Sequence, residues 1–162
     1  MTLHRAENVD NKESLSTIIK SVIDSKENII FPVHPRTFNK LNQFNLYNKL
    51  VNSKNIFLLN SVGYFEMLEL MKKSMFVITD SGGIQEEITS PKIMKKAIIV
   101  RKTTDRPESV DCGLSELVGT TSKKIMSSIK KTKKNPKLKN KKTPYGKGDS
   151  SKKISKIMSD FF

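Results

Sequence analysis

A turn with two glycines follows a short apolar segment near the middle of the chain. Residues Phe76–Thr79 have the pattern of a buried strand, and Asp80–Gly83 lead from it into a helix. Glycine lets a backbone approach a ligand closely, and the free amides at a helix N-terminus attract anions. Ser81 can add a hydroxyl donor. The turn is therefore a candidate phosphate site, although a Ser-Gly-Gly turn is weak evidence by itself.

Two carboxylates, Glu86 and Glu87, follow in the first turn of that helix. Acidic side chains stabilise the start of a helix, and this role is sufficient for Glu86. A carboxylate repels a neighbouring phosphate, so a ligand role for Glu87 would be to accept hydrogen bonds from a ribose diol.

Basic residues follow other predicted strands at the same carboxyl edge, where ligands of open α/β folds bind. Arg106 can meet a diphosphate with two hydrogen bonds, or it can pair with Asp105 or Glu108 on the surface. His4 precedes the first predicted helix and can titrate near neutrality or donate to a phosphate. His34 ends the first predicted strand. For a lone histidine, a structural role is the commoner alternative.

Helices alternate with short apolar strands around these residues. Asn11 predicts the N-cap of a helix whose apolar residues recur at helical spacing. Parallel strands need crossover connections and are buried on both faces, so this alternation predicts a doubly wound, Rossmann-like α/β domain with a parallel sheet. The predicted strands are residues 28–33, 55–59, 76–79, 97–101 and 114–118, and further helices cover 65–71, 83–91 and 122–131.

Most of the positive charge lies near the carboxyl terminus. Residues 121–162 contribute +12 of the net charge of +14. A solvated basic face explains this excess, and we do not expect a nucleic-acid partner. Residues 132–148 are rich in lysine, proline and glycine and predict an irregular loop. Asp149 then predicts the N-cap of a last helix with one apolar side, formed by Ile154, Ile157, Met158 and Phe161.

The single cysteine, Cys112, can form neither an intramolecular disulfide nor a cysteine-rich metal site. We expect no metal. The chain opens Met-Thr-Leu-His, and no stretch approaches the roughly 18 apolar residues that span a bilayer. These features predict a cytoplasmic protein without membrane contact.

Six short motifs occur in an order typical of one family. They read Thr-Leu-His-Arg-Ala-Glu-Asn, His-Pro-Arg-Thr, Val-Gly-Tyr-Phe, Thr-Asp-Ser-Gly-Gly-Ile-Gln-Glu-Glu, Thr-Thr-Asp-Arg-Pro-Glu and Pro-Tyr-Gly-Lys-Gly. Together they resemble the carboxyl half of the non-hydrolysing UDP-N-acetylglucosamine 2-epimerases, over nearly the whole chain. The chain departs from the family pattern at Asp105, where glutamate is usual, and at Lys95-Lys96, where Lys-Pro is usual.

The resemblance implies the second domain of a GT-B-type architecture, with substrate bound between two domains. Residues 1–148 would be the UDP-binding domain, and the helix of residues 149–162 would cross back to the amino-terminal domain. No cofactor is implied. The implied site residues are Ser81, Gly82 and Gly83 for the diphosphate, Arg106 for its charge, Glu87 for the ribose, Met67 where the family has a phenylalanine beside the uracil, His4 as the active-site histidine, and His34 near a regulatory UDP-N-acetylglucosamine.

The implied reaction inverts carbon 2 of UDP-N-acetylglucosamine by eliminating UDP and adding it back, in the synthesis of cell-surface polysaccharide precursors. In the family, the general acid and base carboxylates belong to the amino-terminal domain, so we expect a truncated chain that is inactive alone. The full-length form is expected to be a homodimer. Two alternatives stay open: the carboxyl-terminal domain of a GT-B glycosyltransferase, and a non-catalytic remnant whose basic tail binds polyanions.

Overall fold

The computed structural model describes residues 1–136, 138, 143–146 and 148–161. Its strands form two parallel ladders, one pairing β1 with β2 and one with the order β3-β4-β5. This confirms the predicted parallel α/β fold. The strands are β1 (Ile29–Pro32), β2 (Ile56–Leu59), β3 (Phe76–Thr79), β4 (Lys96–Ile99) and β5 (Ser115–Leu117).

The first residues of the chain lie between the two ladders. The amino group of Met1 donates to the carbonyl of Ile30 in β1 at 2.6 Å, and the amide of Thr2 donates to the carbonyl of Ile78 in β3 at 2.9 Å. Thr2 also forms an isolated parallel bridge with Thr79. Residues 1–2 thus occupy a strand position that joins both ladders, which the sequence pattern did not predict.

The described helices surround the strands; α2, α5, α6, α8 and α9 match predicted helices within a few residues, whereas α1, α3, α4 and α7 were not predicted. The side chain of Asn11 accepts from the amide of Ser14 at 2.9 Å and caps α2 as expected. The helices are α1 (Ala6–Val9), α2 (Lys12–Asp24), α3 (Pro35–Gln43), α4 (Tyr47–Val51), α5 (Tyr64–Lys73), α6 (Gly82–Glu87), α7 (Pro107–Asp111), α8 (Ser122–Lys134) and α9 (Ser150–Phe161).

Two clusters of buried apolar side chains pack against opposite faces of the strands. Successive side chains of a strand point to opposite faces, and β3 shows this directly: Ile78 belongs to the first core and Val77 to the second. The first core includes Leu3, Leu15, Ile18, Phe31, Ile98, Ile125 and Ile129. The second core includes Met71, Val77, Ile84, Ile88, Ile99 and Leu114.

The basic segment after α8 differs from its predicted boundary. The irregular loop was expected to begin at residue 132, but α8 continues to Lys134 because the side chain of Thr132 is buried on the same helix face as Ile125 and Ile129. Residues 137, 139–142 and 147 of the predicted loop lie outside the described residues.

The carboxyl-terminal helix α9 buries none of its residues. Its apolar side is present as predicted, but the four side chains that form it remain more than half exposed: Ile154, Ile157, Met158 and Phe161. Among the described residues, no helix combines the length and the apolar composition needed to cross a membrane.

Candidate functional site

The loops at the carboxyl ends of the strands meet around the buried carboxylate of Asp80, directly after β3. Its oxygens accept the backbone amides of His4 and Arg5, each at 3.0 Å, and the side-chain amide of Asn8 at 3.1 Å. Asn8 also donates to the carbonyl of Val100 at 2.9 Å. Asp80 is fully buried. It therefore ties the loop before α1 to the ends of β3 and β4.

The glycine turn begins α6 as predicted. Ser81 is the N-cap, and its hydroxyl oxygen accepts the amide of Ile84 at 3.4 Å. The amide of Gln85 donates to the carbonyl of Ser81 at 3.3 Å. Gly82 and Gly83 occupy the first turn, where amides have no acceptor within a helix. Their two N–H groups can serve an anion at this helix end.

The two glycines have different surroundings. A Cβ atom on Gly82 would lie 3.3 Å from Nη2 of Arg5 and 3.4 Å from Oδ1 of Asp105. A Cβ atom on Gly83 would meet only the hydroxyl oxygen of Ser81, at 3.9 Å. A side chain at position 82 would therefore press on the side-chain ends of Arg5 and Asp105. The space beside Gly83 is open.

Three arginines converge on the carboxylate of Asp105 above this turn: Arg101, Arg5 and Arg106. Arg101 is mostly buried; it donates through Nη1 to Asp105 and through Nε to Glu7, each at 2.8 Å. Nη2 of Arg5 lies 3.5 Å from the second oxygen of Asp105. Nε of Arg5 is buried without a hydrogen-bond partner among the described residues. Arg5 thus retains a donor beside the glycine turn.

Arg106 is paired with the expected carboxylate of Asp105, whose Oδ2 lies 3.7 Å from its Nη1, and also with Glu86, which was not expected. Its Nε donates to Glu86 of α6, and its Nη1 donates to the backbone carbonyl of Asp105 at 2.8 Å. Glu108 instead accepts from the hydroxyl of Tyr145 at 3.0 Å. The Glu86 carboxylate raises the pKa of Arg106 above its usual value. The pairing places Arg106 beside α6, and an anion there has to compete with Glu86.

Gln85 connects α6 to the loop after β4. Its side-chain amide donates to the carbonyl of Ser81 at 3.1 Å, while its oxygen accepts the hydroxyl of Thr104 at 2.6 Å. Thr104 in turn accepts the amide of Arg106 at 3.0 Å. This chain of hydrogen bonds holds the glycine turn and the arginine loop in one arrangement.

His4 and His34 lie side by side, with ring centroids 5.6 Å apart. Burial lowers the pKa of His4; the neighbouring Asp80, whose Oδ1 lies 3.6 Å from Nδ1, raises it in part, and His34 lowers it again. The ring of His4 is therefore neutral at pH 7. Nδ1 of His34 accepts the amide of Arg36 at 3.2 Å and caps α3, so His34 also has the local structural role that was considered for it.

Glu87 is the last residue of α6, and Met67 lies on α5. Burial raises the pKa of Glu87, and a hydrogen bond from the hydroxyl of Tyr64 partly counteracts this. Met67 packs partly buried against the second core, one turn after Tyr64 on α5. The hydroxyl of Tyr64 therefore lies near the carboxylate of Glu87.

Several residues of this arrangement were missed at the level of sequence. Asp80, Arg5 and Gln85 were quoted within motifs, and Arg101 ended a predicted strand, but none was given a role of its own. For Asp80 a signal was available: it directly follows an apolar strand, and a carboxylate that is buried at such a position almost always has hydrogen-bond or charge partners. Among the residues that the structure describes, no group of three or more His, Cys, Asp or Glu side chains could hold a metal ion.

The fold and the convergence of strand-end loops on a glycine turn define a Rossmann-like α/β domain, a class that binds ligands at the carboxyl edge of its sheet. The family model for UDP-N-acetylglucosamine 2-epimerase matches residues 1–159. The chain belongs to this family.

Named relatives and solved structures agree with this assignment. The chain is 41% identical to the UDP-N-acetylglucosamine 2-epimerase of Methanocaldococcus jannaschii and 43% identical to that of Methanococcus maripaludis, in each case over 98% of this chain and 43% of the relative. The crystal structure of the M. jannaschii UDP-GlcNAc 2-epimerase in complex with UDP-GlcNAc and UDP matches with a TM-score of 0.89, 40% identity, and coverage of 98% of this chain and 44% of that one.

A second solved structure gives the same match. The UDP-GlcNAc 2-epimerase from Neisseria meningitidis bound to UDP-GlcNAc is 30% identical, with a TM-score of 0.84, and 98% of this chain covers 43% of it. The chain therefore spans less than half the length of these relatives. It corresponds to the carboxyl-terminal, Rossmann-like half of a GT-B-like architecture.

Proposed function

We propose that this chain is the UDP-binding half of an enzyme that interconverts UDP-N-acetylglucosamine and UDP-N-acetylmannosamine. The observation that carries the proposal is the open glycine turn at the start of α6, with the arginines at positions 5 and 106 beside it. Two solved family members whose folds match this chain hold UDP-GlcNAc, one of them together with UDP.

The diphosphate is bound by the first turn of α6. The amides of Gly82 and Gly83 and the hydroxyl of Ser81 donate to its oxygens, and the helix dipole favours its negative charge. Arg106 leaves Glu86 and pairs with the diphosphate, which accepts two parallel hydrogen bonds from a guanidinium group. The unpaired Nε of Arg5 is a further donor within the same loop cluster.

His4 stabilises the diphosphate as it leaves. Its ring is neutral in the free chain because burial lowers its pKa. An anion bound beside it favours the protonated ring, and so does the carboxylate of Asp80 on its other side. A charged His4 then stabilises the negative charge that develops on UDP during elimination.

The nucleoside lies toward α5 and the end of α6. Glu87 accepts hydrogen bonds from the ribose diol, and Tyr64 lies beside this carboxylate. Met67 covers one face of the uracil; a thioether makes favourable contacts with a ring but holds it less rigidly than a phenylalanine does. His34, beside His4, contributes to a regulatory UDP-GlcNAc site.

The proton at carbon 2 is moved by carboxylates of the amino-terminal half of the longer protein. General acid and base groups have to lie within hydrogen-bond reach of that carbon. In the full-length homodimer, α9 packs its apolar side on the amino-terminal half. The isolated chain binds UDP weakly and does not epimerise.

A chimera tests this function. The amino-terminal half of the M. maripaludis relative is joined to this chain, and conversion of UDP-GlcNAc is followed by NMR without any acceptor. We expect UDP-ManNAc from the chimera and none from the isolated chain. A folded chimera that forms free UDP from UDP-GlcNAc only when a sugar acceptor is added, by transferring the sugar to that acceptor, would assign the domain to a glycosyltransferase. A folded chimera without UDP binding would overturn the proposal.

A further inference from the structure

Tyr145 connects a distant part of the chain to α7. Its hydroxyl donates to the carboxylate of Glu108 at 3.0 Å, across 37 residues of sequence. The Tyr145 side chain is partly buried. Burial, together with the hydrogen bond to Glu108, raises the pKa of this hydroxyl to about 12. The hydroxyl therefore keeps its proton at pH 7 and acts as the donor.

Three contacts mark the path of the chain from the end of α8 to Tyr145. Nζ of Lys96, the first residue of β4, donates to the carbonyl of Asn135. Leu138 packs against the second core, and Tyr145 then reaches α7. Because α7 follows the carboxyl end of β4, the chain returns from the amino edge of the sheet to the edge that carries the glycine turn.

The helix α7 begins directly after Arg106. Arg106 is its N-cap residue, with φ of −133° and ψ of 59°, and its side chain makes no capping hydrogen bond. The hydroxyl of Ser109 donates to the carbonyl of Arg106 at 2.9 Å. The hydroxyl of Tyr145 lies near the backbone amide of Ser109, which acts to lower its pKa. The backbone of Arg106 thus belongs to the same turn of chain that Tyr145 contacts.

Arg106 is held from the side of α6 as well. Thr104 accepts the amide of Arg106 at 3.0 Å and donates to Gln85 at 2.6 Å, while the guanidinium group pairs with Glu86. These contacts fix the chain before Arg106, and Tyr145 fixes the chain after it. A side chain on a backbone that is already ordered loses less entropy when it binds a ligand.

We propose that Tyr145 is a positioning residue for the diphosphate: through Glu108 it holds the first turn of α7, and with it Arg106, where the guanidinium group reaches phosphate oxygens at the start of α6. The inference rests on the proposed function, in which Arg106 binds the diphosphate. Glutamine at position 108 would still offer Tyr145 an oxygen, so this position requires an acceptor and not a charge.

This role brings a third part of the chain to the site. The other groups around the glycine turn come from the loop before α1 and from the segments after β3 and β4. Tyr145 comes from residues 132–148, which the sequence predicted only as an irregular loop. A residue of that loop therefore affects diphosphate binding without touching the ligand.

Tyr145→Phe tests the proposal because it removes the hydroxyl and keeps the ring. In the chimera, calorimetry should show UDP affinity about three- to tenfold lower, the range that one hydrogen bond supports. The melting temperature should fall by less than about 3 °C, since the hydrogen bond lies at a partly exposed position. Tyr47→Phe is the matched control: its ring packs against Phe38 of α3, with ring centroids 5.3 Å apart, and UDP affinity should stay unchanged.

A double-mutant cycle tests whether the effect passes through Arg106. Arg106→Gln removes the guanidinium group, so adding Tyr145→Phe to this variant should change UDP affinity by less than about twofold. An equal loss of affinity in both backgrounds would show that Tyr145 acts through another group, and it would overturn the proposal.

Exchange at Arg106 gives a readout that does not need UDP. In the chain alone, NMR should show the Nε–H of Arg106, which donates to Glu86, exchanging with solvent roughly threefold or more faster in Tyr145→Phe than in the parent or in Tyr47→Phe. If the folded parent chimera binds UDP and Tyr145→Phe changes neither affinity nor exchange, the role of Tyr145 alone is overturned. If the folded parent chimera binds no UDP, the proposed function fails, and this role fails with it even where exchange at Arg106 responds.

Discussion

The carboxylate of Asp80 accepts the backbone amide of His4 at 3.0 Å across 76 residues of sequence. It also accepts the amide of Arg5 and the side chain of Asn8, and it has no exposed surface. A buried carboxylate with several charge-assisted hydrogen bonds is a strong constraint, since removing its charge leaves donors unpaired. Asp80 is thus a positioning residue: it fixes the histidine loop against the glycine turn.

Asp80→Asn should destabilise the chain by about 2–3 kcal/mol, because an amide nitrogen would face donors that now meet a carboxylate oxygen. Thermal or urea unfolding measures the change. Asp105→Asn is the matched control: its side chain is 47% exposed, and we expect a loss below about 1 kcal/mol. Similar losses in the two variants would contradict the positioning role.

Substitutions at Gly83 and Gly82 distinguish contact with the ligand from packing within the chain. In Gly83→Ala the new methyl group meets no protein atom closer than 3.9 Å, and alanine favours a helix by up to about 1 kcal/mol over glycine. We expect an unchanged or higher melting temperature together with UDP affinity at least about tenfold lower in the chimera, because the methyl group blocks the phosphate's approach to the backbone.

Gly82→Ala is the comparison variant. Its methyl group would press on Arg5 at 3.3 Å and on Asp105 at 3.4 Å, so stability and UDP affinity should fall together. Calorimetry of UDP binding and thermal unfolding give both quantities. Full UDP affinity in Gly83→Ala would show that no ligand approaches this turn.

A single substitution at Glu86 removes one of the two carboxylates that pair with Arg106. Glu86→Gln removes the charge that pairs with Arg106, and such half-exposed ion pairs contribute about 0–1 kcal/mol. UDP affinity should therefore rise by up to roughly fivefold. Glu108→Gln is the control, since Glu108 bonds to Tyr145 and not to Arg106. An unchanged or weaker affinity in Glu86→Gln would show that Arg106 does not bind the diphosphate.

The pKa of His4 should respond to its neighbour. His34→Asn keeps a side-chain acceptor that can cap α3 but removes a ring that lowers the pKa of His4, so NMR titration should give a higher pKa. Lys40→Gln, which removes a charge that does not act on His4, should leave it unchanged. A lower or equal pKa in His34→Asn would contradict the arrangement of the two rings.

The same shift has a consequence for stability. Because the folded-state pKa of His4 lies below the unfolded value of about 6.5, the unfolded chain binds more protons as pH falls through that value. The contribution of His4 to stability is therefore complete above pH 6.5 and is lost below it. Unfolding of His4→Gln between pH 7.5 and 5.5 should show a shallower dependence than the parent chain, with a slope difference of at most about 1.4 kcal/mol per pH unit.

Local sequence patterns predicted the helices and strands better than the contacts that join them. The helix capped by Asn11, the strand Phe76–Thr79 and the start of α6 follow from capping, apolar runs and glycines that act over a few residues. The position of Met1 and Thr2 between the two ladders depends on partners about 30 and 76 residues away, Ile30 and Ile78, which no short-range pattern encodes. The same is true of the pairing of Arg106 with Glu86, which lies 20 residues earlier in the chain, whereas the pairing with the adjacent Asp105 was foreseen from the sequence.

Deletion of α9 tests whether its apolar side packs on this domain or on the amino-terminal half. None of its residues is buried on this domain, and Phe161 is 82% exposed. Deleting residues 149–162 should thus lower the melting temperature of the isolated chain by less than about 2 °C. Ile129→Ala is the comparison: this side chain of α8 is buried in the first core, and its truncation should cost about 2–4 kcal/mol, or roughly 5–15 °C.

In the chimera, where the amino-terminal half is present, deleting residues 149–162 should lower the melting temperature clearly, because the apolar side of α9 then has a surface to cover. A large loss in the isolated chain would show that α9 packs on this domain instead.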